Sequence, residues 1–159
     1  MIRLATPDDV PVLLSLVREL ADYEQAAEAV QATEKQLHDA LFGSAPVARC
    51  HVAQAADELV GMAVWYPTFS TWTGRPGIWL EDLYVRPAAR RGGHGRLLLQ
   101  ALAALCREND YTRLEWWVLD WNVSAQGFYT SLGAVAQDEW SVWRVDGVAL
   151  DALAPPSTP

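Results

Sequence analysis

No stretch of these 159 residues approaches the roughly 20 consecutive apolar residues that a membrane-spanning helix needs. The opening Met1-Ile2-Arg3-Leu4 carries no signal-peptide core. Cysteine is scarce. Cys50 and Cys106 stand far apart, outside any CxxC pattern, and read as buried free thiols in a reducing compartment. These absences lead to the expectation of a cytoplasmic protein with no membrane partner. Lysine is scarcer still, Lys35 being the only one among 12 basic residues. That excludes a GxxxxGK[ST] phosphate loop. His38, His51 and His94 have no ligand spacing among themselves or with the cysteines, so no metal is expected, and no GxSxG nucleophile elbow occurs. Twelve bases against 20 acids leave a net charge of −8, which argues against a nucleic-acid partner and suits a cationic substrate.

What remains is a chain that is 51% hydrophobic and long enough for one proper core. A single domain is expected over residues 1–154, with 155–159 as a disordered C-terminal tail. Thr6 and Pro7 read as a helix start, and Val10, Leu13, Leu14, Val17, Leu20 and Ala21 continue at helical spacing to Tyr23. Thr33 with Gln36 forms a capping box for a second helix ending at Gly43. Segments 47–55 and 58–66 read as strands, 67–77 as a loop and 78–85 as a third strand. An apolar helix follows, then a strand over 112–119, a helix over 124–132 and a last strand or hairpin over 134–146. The pattern predicts a mixed α/β fold.

Charge is unevenly spread. No acid lies between Asp82 and Glu108, where Arg86, Arg90, Arg91, Arg96 and Arg107 fall, while residues 8–39 carry eight acids against Arg18 and Lys35. The arrangement predicts a local anion site beside a region that prefers cations. Within the basic island, a strand ends at Val85 and Arg90-Arg91-Gly92-Gly93-His94-Gly95-Arg96 leads into a helix. Glycines let successive N–H groups point at one spot, and a helix N-terminus adds partial positive charge, so the natural ligand is a phosphate or diphosphate. A dinucleotide fingerprint would need a third glycine where Leu98 stands.

Arg90-x-x-Gly93-x-Gly95 after a Val-x-Pro strand end resembles the acetyl-coenzyme A signature of the GNAT N-acetyltransferases. Residues 16–24, Phe69-Ser70-Thr71-Trp72, Leu80-Glu81-Asp82-Leu83-Tyr84-Val85, Val118-Leu119-Asp120-Trp121-Asn122 and Phe128-Tyr129 are similar to the spermidine/spermine and thialysine branch. Members commonly have glycine where Arg91 stands, and Pro76-Gly77 adds one residue between Trp72 and Glu81. The resemblance implies a GNAT fold, a central twisted mixed β-sheet flanked by helices. It also implies acetyl-CoA as cosubstrate, a small cationic amine as substrate and a homodimer sharing the amine pocket.

Acetyl transfer to an amine needs a proton acceptor, because an alkylammonium has a pKa of about 10, and a donor for the departing thiolate, near 8.5. The resemblance implies Glu81 as the acceptor, through a water, and Tyr129 as the donor. Backbone groups of Leu83, Tyr84 and Val85 and the side chain of Asn122 would hold the pantetheine arm. Arg90, Arg91, Gly92, Gly93, His94, Gly95 and Arg96 would hold the diphosphate. Glu24, Trp72 and Asp82 would bind the amine. Adjacent strand residues face opposite ways, so Glu81 and Asp82 can act together only at a bulge or across a shared cleft. The expected substrate is a polyamine, a diamine or a lysine- or thialysine-like amino acid. A protein N-terminus, an aminoglycoside or a non-catalytic coenzyme A-binding role are the alternatives.

Overall fold

Asp9 ties the start of the chain together. Its carboxylate accepts the Thr6 N–H at 2.7 Å and two bonds from the Arg3 guanidinium, at 2.6 and 2.9 Å. This cap opens a 3-10 turn, Pro7–Asp9, and then helix α1 (Val10–Tyr23) in the computed structural model, which describes residues 1–155. Helix α2 (Glu34–Phe42) begins at the expected box, where Thr33 Oγ1 accepts the Gln36 N–H at 3.2 Å. Strands β1 (Ile2–Leu4), β2 (Arg49–Ala55), β3 (Glu58–Ser70), β4 (Arg75–Val85) and β5 (Leu114–Glu115) form one sheet in that order. The first four are antiparallel neighbours and β5 runs parallel to β4.

Leu59 to Trp65 of β3 are all buried, which fits a central strand covered on both faces and accounts for its unbroken apolar run. Val52, Met62 and Tyr84 stand opposite one another across three strands and pack with Leu13 and Leu16 of α1 and Leu41 of α2. The alternate residues, Ala53 and Ala63 among them, turn to the other face. Helix α3 (His94–Glu108) packs on β4, β3 and β2 and buries Leu98, Leu99 and Leu102. The fold is therefore the mixed α/β sheet flanked by helices that the sequence predicts.

The chain divides into two compact units, Met1–Trp117 and Val118–Pro159. The first holds the whole sheet and helices α1 to α3. The second holds α4 (Val123–Thr130) and α5 (Gly147–Leu153).

Several elements differ from expectation. Residues 67–77 are not a loop: β3 and β4 continue as a hairpin to the pair Ser70–Arg75. Pro67 and Pro76 break nothing there. The Ile78 N–H donates to Arg113 O, and Pro76 O accepts the Thr112 N–H. These residues thus point their polar groups toward β5, and the opposed pairs Pro67–Ile78 and Phe69–Pro76 need no proline N–H. The strand over 112–119 shrinks to Leu114–Glu115, leaving Trp116 outside it. No strand occurs over 134–146 among the described residues. Trp143 there is 93% exposed, and α5 follows unforeseen. Cys50 is buried as expected, whereas Cys106 is only partly so. Of the expected tail, Pro155 is exposed coil and residues 156–159 lie outside those described.

The Arg3 guanidinium, ahead of the Thr6 bonds, holds Asp9 down to about 2 from the ordinary 3.8. A depressed carboxyl contributes stability above its unfolded value and loses it as pH falls toward the folded one. Asp9→Asn is therefore expected to cost about 2 kcal/mol at pH 7. The deficit should shrink as pH drops from 4 toward 2, measured by urea unfolding of both proteins across that range.

Candidate active site

Register decides where the carboxylates point. On β3, Val64 lies opposite Asp82 but Trp65 lies opposite Leu80, so Glu81 is the extra residue of a β-bulge. Val64 and Tyr66, two apart, share a face, and so do their partners Asp82 and Trp79. Glu81, two residues from Trp79, falls on that face too. The bulge thus places Glu81 and Asp82 on the side of the sheet that α1 covers. Trp79 Nε1 donates to Glu81 Oε2 at 3.1 Å, and the rings of Trp79 and Trp117 meet edge to face at 5.0 Å. Tyr66 is the other group beside Glu81, its hydroxyl pKa raised by burial and by that charge.

Asp82 is pushed up to about 6, by burial first, then by the charges of Glu81 and Glu24. Glu24 itself is raised by burial. It is the residue at which α1 stops, as Gln25 turns left-handed at φ 60°. Three carboxylates from two elements therefore converge, a field suited to a cation. Trp72 stands elsewhere. It lies in the hairpin turn, 87% exposed, beyond Arg75, which is itself seven steps of strand from Asp82, about 20 Å along β4.

The far edge of β4 is open. Strand β5 pairs with it only at Ile78 and Trp79, so Leu83, Tyr84 and Val85 have no strand beyond them within the unit. After Val85 come a 3-10 turn, Pro87–Ala89, and the glycine turn. Arg91 adopts φ 67° and Gly93, the N-cap of α3, φ 78°. The left-handed backbone at Arg91 supplies the reason glycine suits that position, since a side chain there costs about 1 kcal/mol. Helical bonding in α3 starts with the Leu97 N–H on Gly93 O at 3.0 Å, which leaves the N–H groups of His94, Gly95 and Arg96 without a helical acceptor. A Cβ on Gly92 would meet His94 Nε2 at 3.1 Å, and His94 Nδ1 is buried without a partner. Open strand edge, free helical donors and bare glycines fit a ligand with an amide-bearing arm and a diphosphate.

The Arg90 side chain, exposed, folds back along the protein surface instead. Its Nε donates to Val85 O at 3.0 Å, and its guanidinium lies 4.9 Å from the Tyr23 ring centre and 5.8 Å from that of Tyr84. Sequence reading missed Tyr23 and Trp79 as partners. The two-residue spacing of Trp79 and Glu81 on a strand was the available signal for the second.

Asn122 and Tyr129 belong to the second unit. Asn122 is buried and caps α4, its Oδ1 accepting the Ala125 N–H at 3.2 Å. Tyr129 lies in the last turn of α4, its ring 5.4 Å from that of Phe128. Among the described residues, no group of three or more His, Cys, Asp or Glu could hold a metal, and no helix is long and apolar enough to cross a membrane.

Residues 13–134 match the acetyltransferase (GNAT) family. The chain is 36% identical to a thialysine N-epsilon-acetyltransferase of Caenorhabditis elegans, over 94% of this chain and 93% of that protein. It is 29% identical to an L-ornithine N5-acetyltransferase of Arabidopsis thaliana, over 96% of this chain and 86% of the other. Among solved structures, an integron cassette protein of V. cholerae superposes with a TM-score of 0.81 at 26% identity, covering 96% of each chain.

The shared origin of the Asp82 shift is directly measurable. By carbon-13 NMR its carboxyl is expected to titrate near 6, and to titrate lower in Glu24→Gln. A raised folded pKa means that ionising Asp82 weakens the fold as pH rises from 4 through 6. Asp82→Asn should consequently melt higher than wild type at pH 7.5, with the gain gone at pH 4.

Proposed function

The chain belongs to the GNAT acetyltransferase family, and on that footing we propose that it transfers the acetyl group of acetyl-CoA to the terminal primary amine of a thialysine-, lysine- or ornithine-like substrate. The observation that carries the substrate class is the convergence of Glu24, Glu81 and Asp82 on one face of a bulged strand. The substrates for which the thialysine and ornithine relatives are named point the same way, and both bear a second charged amine. Diamines and polyamines share that chemistry.

Residues divide the work as follows. Backbone groups of Leu83, Tyr84 and Val85 on the open edge hydrogen-bond the pantetheine arm, with Asn122 contributing a side-chain bond. The amides of Arg91, Gly92, Gly93, His94, Gly95 and Arg96 hold the diphosphate, and the partial positive charge of α3 adds to their grip. Arg90 contributes its backbone to that turn. Asp82 and Glu24 bind the distal ammonium. Glu81, fixed by Trp79 Nε1, accepts the proton of the reacting ammonium through a water. The neutral amine then attacks the thioester carbonyl in a ternary complex. Tyr129 protonates the departing thiolate, a role open to phenols as a class because they titrate at about 10 in model compounds. With Trp72 some 20 Å along β4 from Asp82, its proposed place is the amine pocket of a second copy, which makes the protein a homodimer.

Thiol release from acetyl-CoA with thialysine, lysine, ornithine, putrescine and spermidine tests the reading. Release with at least one of the five is expected, and tight coenzyme A binding without release for any would leave a regulatory module instead. Tyr129→Phe and Glu81→Gln are each expected to lower kcat by about 100-fold or more. Gly95→Asp, which sets a carboxylate against the diphosphate, should raise the KM for acetyl-CoA tenfold or more while changing kcat little.

A further inference from the structure

Glu19 and Tyr23 stand four residues apart on α1 and so occupy one face of it. Arg86 and Arg90 flank the 3-10 turn after β4, and each meets one of them. Arg86 Nε donates to both Glu19 oxygens at 3.1 Å, its Nη2 to Oε1 at 2.8 Å and its Nη1 to Leu59 O at 3.1 Å. Arg90 lies against the Tyr23 and Tyr84 rings and bonds Val85 O. The next residue along α1 is Glu24, whose charge reaches Asp82. The next residue along the turn is Arg91, where the candidate diphosphate donors begin.

We infer that Arg90 is a positioning residue that links the diphosphate turn to the amine-binding end of α1, so that the two substrates strengthen each other's binding. The inference rests on the substrate sites proposed above. Helix ends fray, and Glu24 is the C-cap of α1. A docked last turn, with Tyr23 under the Arg90 guanidinium, holds Glu24 toward Asp82, and a frayed one releases it. A diphosphate ordering the backbone from Arg90 to Arg96 fixes the base of that guanidinium and favours the docked form. The second ligand then meets an end already ordered, and the effect is reciprocal.

Calorimetric titration of the intact protein with thialysine and coenzyme A, each alone and with the other saturating, tests this. Each ligand is expected to tighten the other by about fivefold or more, by the same factor. Tyr23→Leu should bring that factor close to one with coenzyme A affinity alone within about twofold, while Tyr23→Phe, which keeps the ring, retains it. Should Tyr23→Leu fail to fold, Arg90→Lys is read in its place and is also expected to lose the factor. Both ligands binding wild type without mutual effect overturns the inference and leaves the proposed sites standing. Variants that weaken each ligand or lower the melting temperature but keep the factor overturn it as well. Absence of coenzyme A or thialysine binding to wild type removes the proposed sites, and the inference with them.

Discussion

One unpaired residue in β4 governs the chemistry this chain can perform. An uninterrupted ladder would send Glu81 and Asp82 to opposite faces, one toward α1 and one toward α3. Because Val64 takes Asp82 and Trp65 takes Leu80, both carboxylates meet on the α1 side. The cost is visible in Asp82, which burial and two neighbouring charges push up to about 6. A fold that keeps such a buried carboxyl gives up stability to do so, a cost that fits a group kept for a cation.

The basic island acquires a different meaning from the one its charge suggests. Five arginines in an acid-free stretch read as a direct phosphate grip. Arg86 instead grips Glu19 of the acid-rich first helix, and Arg90 lies on Tyr23 of the same helix. The opposite charge biases of the two segments thus serve partly to hold one against the other. In the proposed function, anion binding is left to the glycine turn and the first turn of α3, where donors are backbone and the helix end is positive. Side-chain identity along that turn matters less than the left-handed backbone at Arg91 and Gly93.

Legibility in the sequence followed the range of the determining interaction. Helix starts at Thr6 and Thr33 depend on residues three apart and were readable to within a residue or two. The glycine turn was readable because its backbone demands appear directly as residue types. The outer half of the β3–β4 hairpin was not, since Pro67, Pro76 and Gly77 signal a loop unless the side of the ladder they face is known. Neither was the bulge, because nothing local to Glu81 reveals that Val64 and Trp65 skip it. A strand or hairpin over 134–146 needs a partner strand to form, and among the described residues no strand forms there. Tyr23 was legible only as a helix residue, its contact with Arg90 spanning 67 positions of sequence.

In the proposed function, coenzyme A is held by main-chain groups on the open edge of β4 and at the start of α3. Amide NMR of the protein titrated with coenzyme A tests it most directly. The N–H resonances of His94, Gly95 and Arg96 are expected to move downfield, and amide exchange to slow along Leu83–Val85. Saturation with those resonances unmoved, and the shifts confined to other segments, would contradict it.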